Sequence, residues 1–97
     1  MKTKSIYQEA INCFGNDKQI RKTLEELAEL QVAIHHSQDM KKVLMDVVGE
    51  IADVEIMLEQ LKIIYKIDSR LLNREKDRKL DRLEETIKRN SGYYAES

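Results

Sequence analysis

The chain has 97 residues but no proline and only three glycines, so few residues in it would interrupt a helix. Its apolar residues recur three and four positions apart over long stretches, which is the spacing of one face of an α-helix. Small clusters of turn and capping residues separate these stretches. We therefore predict an all-α fold of four helices, with a single domain over 1–90 and a flexible tail over 91–97.

The turn residues set the bounds of the predicted helices. Gly15 can adopt a positive φ and is expected to end the first helix. The Ser-Gln-Asp sequence at 37–39 is expected to form the turn after the second helix. Asn16 or Asp17 caps the second helix, and Asp68 or Ser69 caps the fourth. The first three helices are predicted to span about 5–14, 17–36 and 40–66.

The third predicted helix is too long for one small globule. Its 27 residues measure about 40 Å, whereas a compact domain of this size is about 34 Å across. We therefore expect an antiparallel helical bundle completed by homo-oligomerisation, as a homodimer or homotetramer. The third helix has a coiled-coil-like seam of Val47, Glu50, Val54, Met57, Leu61 and Ile64, and the second has an apolar stripe of Ile20, Leu24, Leu27 and Ile34.

The composition excludes several classes of protein. Seventeen basic and eighteen acidic residues give a net charge of −1, which is too little positive charge to hold a nucleic acid. No apolar run is long enough to span a membrane, and the N-terminus lacks the apolar stretch of a signal peptide. The lone Cys13 cannot form an internal disulfide or complete a zinc site, and we expect it to be a small apolar filler. These features together predict a cytoplasmic protein.

Four acidic residues interrupt the apolar faces of the second and third helices. Glu26 and Glu29 lie three residues apart on the second helix, and Glu50 and Asp53 do so on the third. Burying ionised carboxylates costs several kcal/mol each unless a positive group pairs with them. Oxygen ligands favour a hard cation, so we predict a Mg²⁺ site, with Mn²⁺ as a substitute.

Two other interpretations of these acids remain open. A di-iron site would need Glu-x-x-His motifs, but the residues three before His35 and His36 are Val32 and Ala33. The two histidines are instead expected to stabilise the end of the second helix. In a non-enzymatic helical oligomerisation or interaction module, the inward acids would make structural salt bridges. Their partners there would be Arg21, Lys22, Lys41 or Lys62.

The two acidic segments together resemble a known motif. The sequence EELAEL at 25–30 and the sequence EIADV at 50–54 are separated by twenty residues between Glu29 and Glu50. This pair is similar to the motif of the MazG-like all-α nucleoside triphosphate pyrophosphohydrolases, in their short single-domain form. The resemblance covers about 17–66, and the basic segment at 79–83 is similar to the one that closes many small members.

The resemblance implies a reaction and roles for particular residues. The expected activity is Mg²⁺-dependent hydrolysis of a nucleoside triphosphate between its α and β phosphates, which releases a monophosphate and pyrophosphate. The metal ligands would be Glu26, Glu29, Glu50 and Asp53, and Glu25 with Glu26 would position the attacking water. Lys79 and Arg82 are the expected phosphate-binding residues, and Tyr7, Asn12 and Phe14 the expected base-binding residues.

Overall fold

The computed structural model describes residues 2–39 and 44–91, with side chains described over 6–38 and 44–91. All regular structure in these residues is helical, which confirms the all-α prediction. The chain divides into two compact units, Met1–Lys66 and Ile67–Ser97. Among the described residues, no helix is both long enough and apolar enough to cross a membrane. The four helices are α1 Lys2–Phe14, α2 Asn16–Asp39, α3 Leu44–Ile64 and α4 Ser69–Asn90.

Gly15 forms the junction between α1 and α2, as predicted. Its φ of 90° lies in the left-handed region that favours glycine. Its backbone N–H donates to the carbonyl of Ile11 at 2.8 Å, which closes the last turn of α1. Its own carbonyl accepts from the N–H of Gln19 at 3.2 Å and so begins α2. The N-cap position of α2 therefore belongs to Gly15, not to Asn16 or Asp17 as predicted.

The predicted turn at 37–39 is wrong, because α2 continues through Asp39. The Ser37 hydroxyl donates to the carbonyl of Ile34 at 2.8 Å, so this serine bonds within the helix. The predicted start of the third helix at Met40 lies outside the described residues. That helix ends at Ile64, two residues before the predicted end, and Lys66 follows with a left-handed φ of 53°.

The first unit is built on the antiparallel packing of α2 against α3, and α1 contacts both helices. The Gln19 Nε2 donates to the Gln60 Oε1 at 2.8 Å, and ten residues later Glu29 lies beside Glu50. Moving forward along α2 thus moves backward along α3. The buried core is small and half polar, consisting of Ile11, Ala33, Val54 and Met57 together with Gln19, Thr23, Glu26 and Gln60.

The buried faces of the two long helices differ in how well they follow the sequence pattern. The predicted seam of α3 lies inward, with Val54 and Met57 buried. The predicted apolar stripe of α2 is not the inner face of this unit, since Leu24 is 62% exposed and Leu27 and Ile34 are also exposed. The inner face of α2 carries polar residues, of which Gln19 donates to Gln60 of α3 and Thr23 donates to the carbonyl of Gln19 within α2. Among the described side chains, none is completely buried.

The second unit contains α4, whose start was correctly predicted. The Asp68 carboxylate accepts from the backbone N–H of Arg70 at 2.8 Å and caps the helix. Glu75 and Lys79, four residues apart on α4, pair at 4.0 Å. No residue of α4 is buried among the described residues. Ser91 caps its end, and the rest of the predicted tail lies outside the described residues.

The buried amide pair predicts a coupling between two substitutions. Gln60→Met removes the acceptor for Gln19 and leaves a buried amide unpaired, so we expect a loss of about 1–3 kcal/mol in the free energy of unfolding. The double variant Gln19→Met/Gln60→Met removes both partners and should lose less than the sum of the single losses. Urea denaturation measures all three variants. Strictly additive losses would contradict a specific hydrogen bond between the two side chains.

Candidate metal centre

Three carboxylates from two helices meet in the α2–α3 interface. Glu26 and Glu29 lie one turn apart on α2, and Glu50 faces them from α3. Each offers one carboxylate oxygen, and these three oxygens all lie within 4.8 Å of one another. Glu26 is buried, Glu50 is half-buried and Glu29 is exposed. The arrangement, called the carboxylate cluster below, brings together three of the four predicted metal ligands.

Two buried oxygens of the carboxylate cluster lack a hydrogen-bond partner among the described residues: the Glu26 Oε1 and the Glu50 Oε2. The other oxygen of Glu26, Oε2, lies 3.2 Å from the ammonium of Lys22, one turn earlier on α2. The side chain of Glu26 is only 9% exposed. Burying a carboxylate oxygen without a partner costs free energy, so a positive charge or a hydrogen-bond donor at this position would stabilise the cluster.

The charge of the cluster acts on Glu50. Burial raises the pKa of the Glu50 carboxyl above its ordinary value of 4.5, because burial disfavours the charged form. Repulsion between like charges raises the pKa further, and the acids responsible are Glu29, Glu26, Asp53 and Asp46. Without a cation, the folded protein therefore holds the proton of Glu50 more tightly than an exposed carboxyl does.

The donor set of the carboxylate cluster fits a hard divalent cation. Oxygens bound to one octahedral Mg²⁺ lie about 3.0 Å apart when adjacent and about 4.2 Å apart when opposite, since the metal–oxygen distance is about 2.1 Å. The three oxygens lie within 4.8 Å of one another, so side-chain rotations that draw them closer would bring them to one ion. The two buried oxygens without partners supply the electrostatic reason for an ion to bind there.

An open cleft of about 510 Å³ adjoins the carboxylate cluster between α2 and α3. Glu29 and Glu50 lie on its wall, and the apolar part of the wall includes Val32 and Met45. Sequence reasoning missed two polar residues of this wall, Asp46 and His36. The spacing of Asp46 four residues before Glu50 was the available signal, since it places both on one face of α3. His36 was expected to act only at the helix end.

The other two acids of the predicted site lie apart from the cluster. Asp53 is exposed on the wall of the same cleft, one turn after Glu50, but it is not one of the three residues whose oxygens converge. Glu25 is also exposed, and it does not line the cleft. Asp53 is thus within the neighbourhood of a bound ion, whereas Glu25 lies on the outer face of α2.

The predicted phosphate-binding residues belong to the second unit. Lys79 and Arg82 line a shallow hollow of about 280 Å³ on α4, together with Leu83 and Thr86. Both side chains are exposed, and the ammonium of Lys79 lies 4.0 Å from Glu75. Lys79 and Arg82 thus lie beside each other on α4. Their role in binding phosphate stays a prediction.

The predicted base-binding residues occupy different faces of α1. Tyr7 and Phe14 are seven residues apart and share a face, whereas Asn12 lies about 140° round from Tyr7. Tyr7 is half-buried, and Phe14 is 51% exposed with the Lys18 ammonium 4.9 Å from its ring centre. Asn12 is exposed and accepts a hydrogen bond from Gln8 at 2.9 Å. These three residues therefore do not form one binding surface by themselves.

The alternative explanations of the acids fare differently. Of the four expected salt-bridge partners, Lys22 pairs with Glu26, and Lys62 pairs with Glu59 instead of the cluster. Lys41 lies outside the described residues. No salt bridge from the described residues reaches Glu29 or Glu50. Cys13 is exposed, so its prediction as an apolar filler is wrong.

Comparisons with other proteins add no assignment to this geometry. No protein-family model, curated protein or solved structure matches the chain. The function has to be inferred from the carboxylate cluster and from the acidic motifs that form it.

The raised pKa of Glu50 predicts a pH-dependent effect in metal-free protein. Because the pKa of Glu50 is raised on folding, the carboxyl adds to the free energy of unfolding. This contribution is complete below the ordinary pKa of 4.5 and is lost as the pH rises through the pKa in the folded state. Glutamine is uncharged at every pH, so the Glu50→Gln variant does not lose stability as the pH rises. We therefore expect the variant to melt above the wild type at neutral pH in EDTA, and at the same temperature as the wild type below pH 4.5.

Glu75→Gln is the matched control for this measurement. The hydrogen bond from Arg78 lowers the pKa of Glu75, so its stability contribution is present at neutral pH and lost as the pH falls through the lowered value. This variant should melt below the wild type at neutral pH. If both variants shift the melting temperature in the same direction at neutral pH, the electrostatic description of the carboxylate cluster is wrong.

Proposed function

We propose that this protein is a Mg²⁺-dependent nucleoside triphosphate pyrophosphohydrolase of the MazG-like kind, which cleaves a ribo- or deoxyribonucleoside triphosphate to the monophosphate and pyrophosphate. The observation that carries the proposal is the carboxylate cluster itself. Three acids from the two motifs converge to within 4.8 Å, and one of them is buried with an unpaired oxygen. The reaction assigned to the site follows from the resemblance of those motifs to the family.

Each acid has a distinct part in the proposed site. Glu26, Glu29 and Glu50 hold the cation, and Asp53 reaches it from the cleft wall by a change of side-chain rotamer. A bound Mg²⁺ would neutralise the triphosphate and make a coordinated water more acidic. Glu26 orients the attacking water, and the resemblance gives Glu25 the same role, although its side chain is exposed and does not line the cleft. The cleft volume is in the range typical of small-ligand sites.

The remaining substrate contacts come from other elements. In this proposal Lys79 and Arg82 neutralise the departing pyrophosphate, as paired cations on one face of α4 suit a multiply charged anion. Tyr7 and Phe14 offer one face of α1 to the nucleobase, and Asn12 supplies hydrogen bonds from a neighbouring face.

Homo-oligomerisation is part of the proposal and has its own support. The helix α3 has large apolar residues on more than one side, with Val54 and Met57 buried and others exposed. Exposed apolar residues beside a buried apolar face are commonly covered by a second contact. Among the described residues, the large apolar side chains exposed on the two long helices are Leu24, Leu27, Val32, Ile34, Leu44, Met45, Val48, Ile51, Ile56 and Leu58. Such an extent of apolar surface is typical of a protein interface.

The same exposed surface favours a second candidate function, a non-enzymatic helical interaction module. In that case the acids would fix the register of the helices or bind a basic segment of a partner. Metal linkage distinguishes the two functions. An ion that binds only the folded protein raises the free energy of unfolding, and with it the melting temperature. The gain is about 2.7 kcal/mol when the ion concentration is one hundred times the dissociation constant. An interaction module has no such dependence.

A panel of triphosphates tests the enzymatic proposal. The common ribo- and deoxyribonucleoside triphosphates are incubated with the full chain and Mg²⁺, and the products are separated by chromatography. We expect a monophosphate and pyrophosphate from at least one of them. Glu50→Gln should lower turnover by at least about a hundredfold, because it removes a charged ligand from the cluster.

Glu59→Gln is the matched control for that panel. Glu59 lies on the same helix but pairs with Lys62 at 2.8 Å, away from the cluster, so its loss should leave turnover within about twofold of the wild type. A diphosphate and inorganic phosphate as products would contradict cleavage between the α and β phosphates. Turnover of no triphosphate, with a melting temperature that Mg²⁺ and Mn²⁺ leave unchanged, would favour the interaction module.

The oligomeric state gives a separate test. Sedimentation should give a mass of at least two chains of 11.4 kDa. Ile56→Glu places a charge in the exposed apolar surface of α3 and should lower the mass toward one chain, whereas Glu55→Lys changes a neighbouring residue that is already polar and should not. A monomeric wild type at micromolar concentration would contradict the proposed assembly.

A further inference from the structure

The ammonium of Lys22 lies at the edge of the carboxylate cluster. Its Nζ is 3.2 Å from the Oε2 of Glu26, and the two residues are one turn apart on α2. Neither the acidic motifs nor the proposed reaction uses this lysine. Its side chain is 48% exposed, whereas that of Glu26 is 9% exposed, so the ion pair joins a buried carboxylate to a cation that still contacts solvent.

The charges around Glu26 are strongly unbalanced. Three carboxylates converge, and Lys22 is the cation paired with them among the described residues. The hydrogen bond to Glu26, followed by the negative charge of Glu26 itself, raises the pKa of the Lys22 ammonium, so the lysine stays charged at neutral pH. The ion pair leaves the Glu26 Oε1 buried without a partner. Lys22 therefore compensates only part of the negative charge.

A divalent cation at the cluster would meet Lys22 directly. A dication bound to the free Oε1 of Glu26 would lie close to the ammonium on Oε2, and the two positive charges would repel each other. The lysine side chain is a flexible four-carbon stem that is half-exposed, so moving its ammonium into solvent costs little. The ion pair and the metal thus compete electrostatically for the negative charge of the same carboxylate.

We propose that Lys22 is the internal counter-ion of the metal-free site, which stabilises the carboxylate cluster in the absence of metal and is displaced from Glu26 when Mg²⁺ binds. The inference rests on the metal site of the proposed function. It has a consequence of its own, since a lysine that must be displaced weakens metal binding. Lys22 would thereby set the concentration of free Mg²⁺ at which the site fills.

Lys22→Met tests the proposal, because methionine keeps the apolar stem and removes the charge. In EDTA the full-length variant should melt below the wild type, since the cluster loses its counter-ion. In saturating Mn²⁺ the difference in melting temperature should shrink. Titration with Mn²⁺, followed by electron paramagnetic resonance, should show binding about fivefold tighter than in the wild type, the size expected for loss of one exposed ion pair.

Lys62→Met is the matched control. Lys62 also pairs with a glutamate within one helix, at 2.8 Å from Glu59, but it lies twelve residues beyond Glu50 and about 18 Å further along α3. Its loss should leave the affinity for Mn²⁺ unchanged. Lys22→Gln, a second neutral replacement, should bind Mn²⁺ more tightly than the wild type, as Lys22→Met does, and it provides the measurement if Lys22→Met does not fold.

Each result decides the inference. Equal or weaker Mn²⁺ binding by the neutral Lys22 variants would overturn it and leave Lys22 as an ordinary surface ion pair or a supporting residue of the site. Mn²⁺ binding by the neutral Lys22 variants but not by the wild type would support the inference. If neither the wild type nor the variants bind Mn²⁺, both the inference and the metal site are overturned. Tighter Mn²⁺ binding by the variants without turnover of any triphosphate would overturn the proposed function and leave the inference standing.

Discussion

Negative charge accumulates where α2 and α3 pack against each other, and this accumulation constrains the rest of the first unit. Three carboxylates converge there, with one lysine beside them. Hydrophobic burial alone offers little compensation, because half of the buried residues are polar. Among the described side chains, the hydrogen bond from Gln19 to Gln60 is the polar pair that joins the two helices, and the acids of the interface remain available to an added cation.

A small polar core also explains the apolar exterior. A single chain leaves large side chains of α2 and α3 exposed on the sides that do not face each other. A 66-residue unit with so few buried apolar groups has only a small free energy of unfolding. Association between copies would bury that surface and leave the acidic face of each helix pair directed toward its own cleft. In this arrangement stability comes from the outer faces of the helices and chemistry from the inner one.

Much of the fold follows from local sequence signals, and the rest depends on contacts between helices. Gly15 and Asp68 were correctly placed because positive φ and N-capping are properties of single residues. The end of α2 was misplaced because the Ser37 side chain satisfies a carbonyl within the helix instead of starting a turn. The stripe containing Leu24 has helical spacing, but spacing alone does not distinguish a face that packs within the chain from one that is exposed.

The candidate site was predictable to a similar degree. Helical spacing identified Glu26, Glu29 and Glu50 as inward acids, but it did not distinguish them from Asp53, which lies on the cleft wall outside the convergent group. The amide pair has a further consequence, since it fixes the register of α2 and α3 from within the helices. Residues could be added or removed in the connection between them without moving Glu29 away from Glu50. A deletion inside either helix, between the amides and the acids, would rotate the acids by about 100° and separate them.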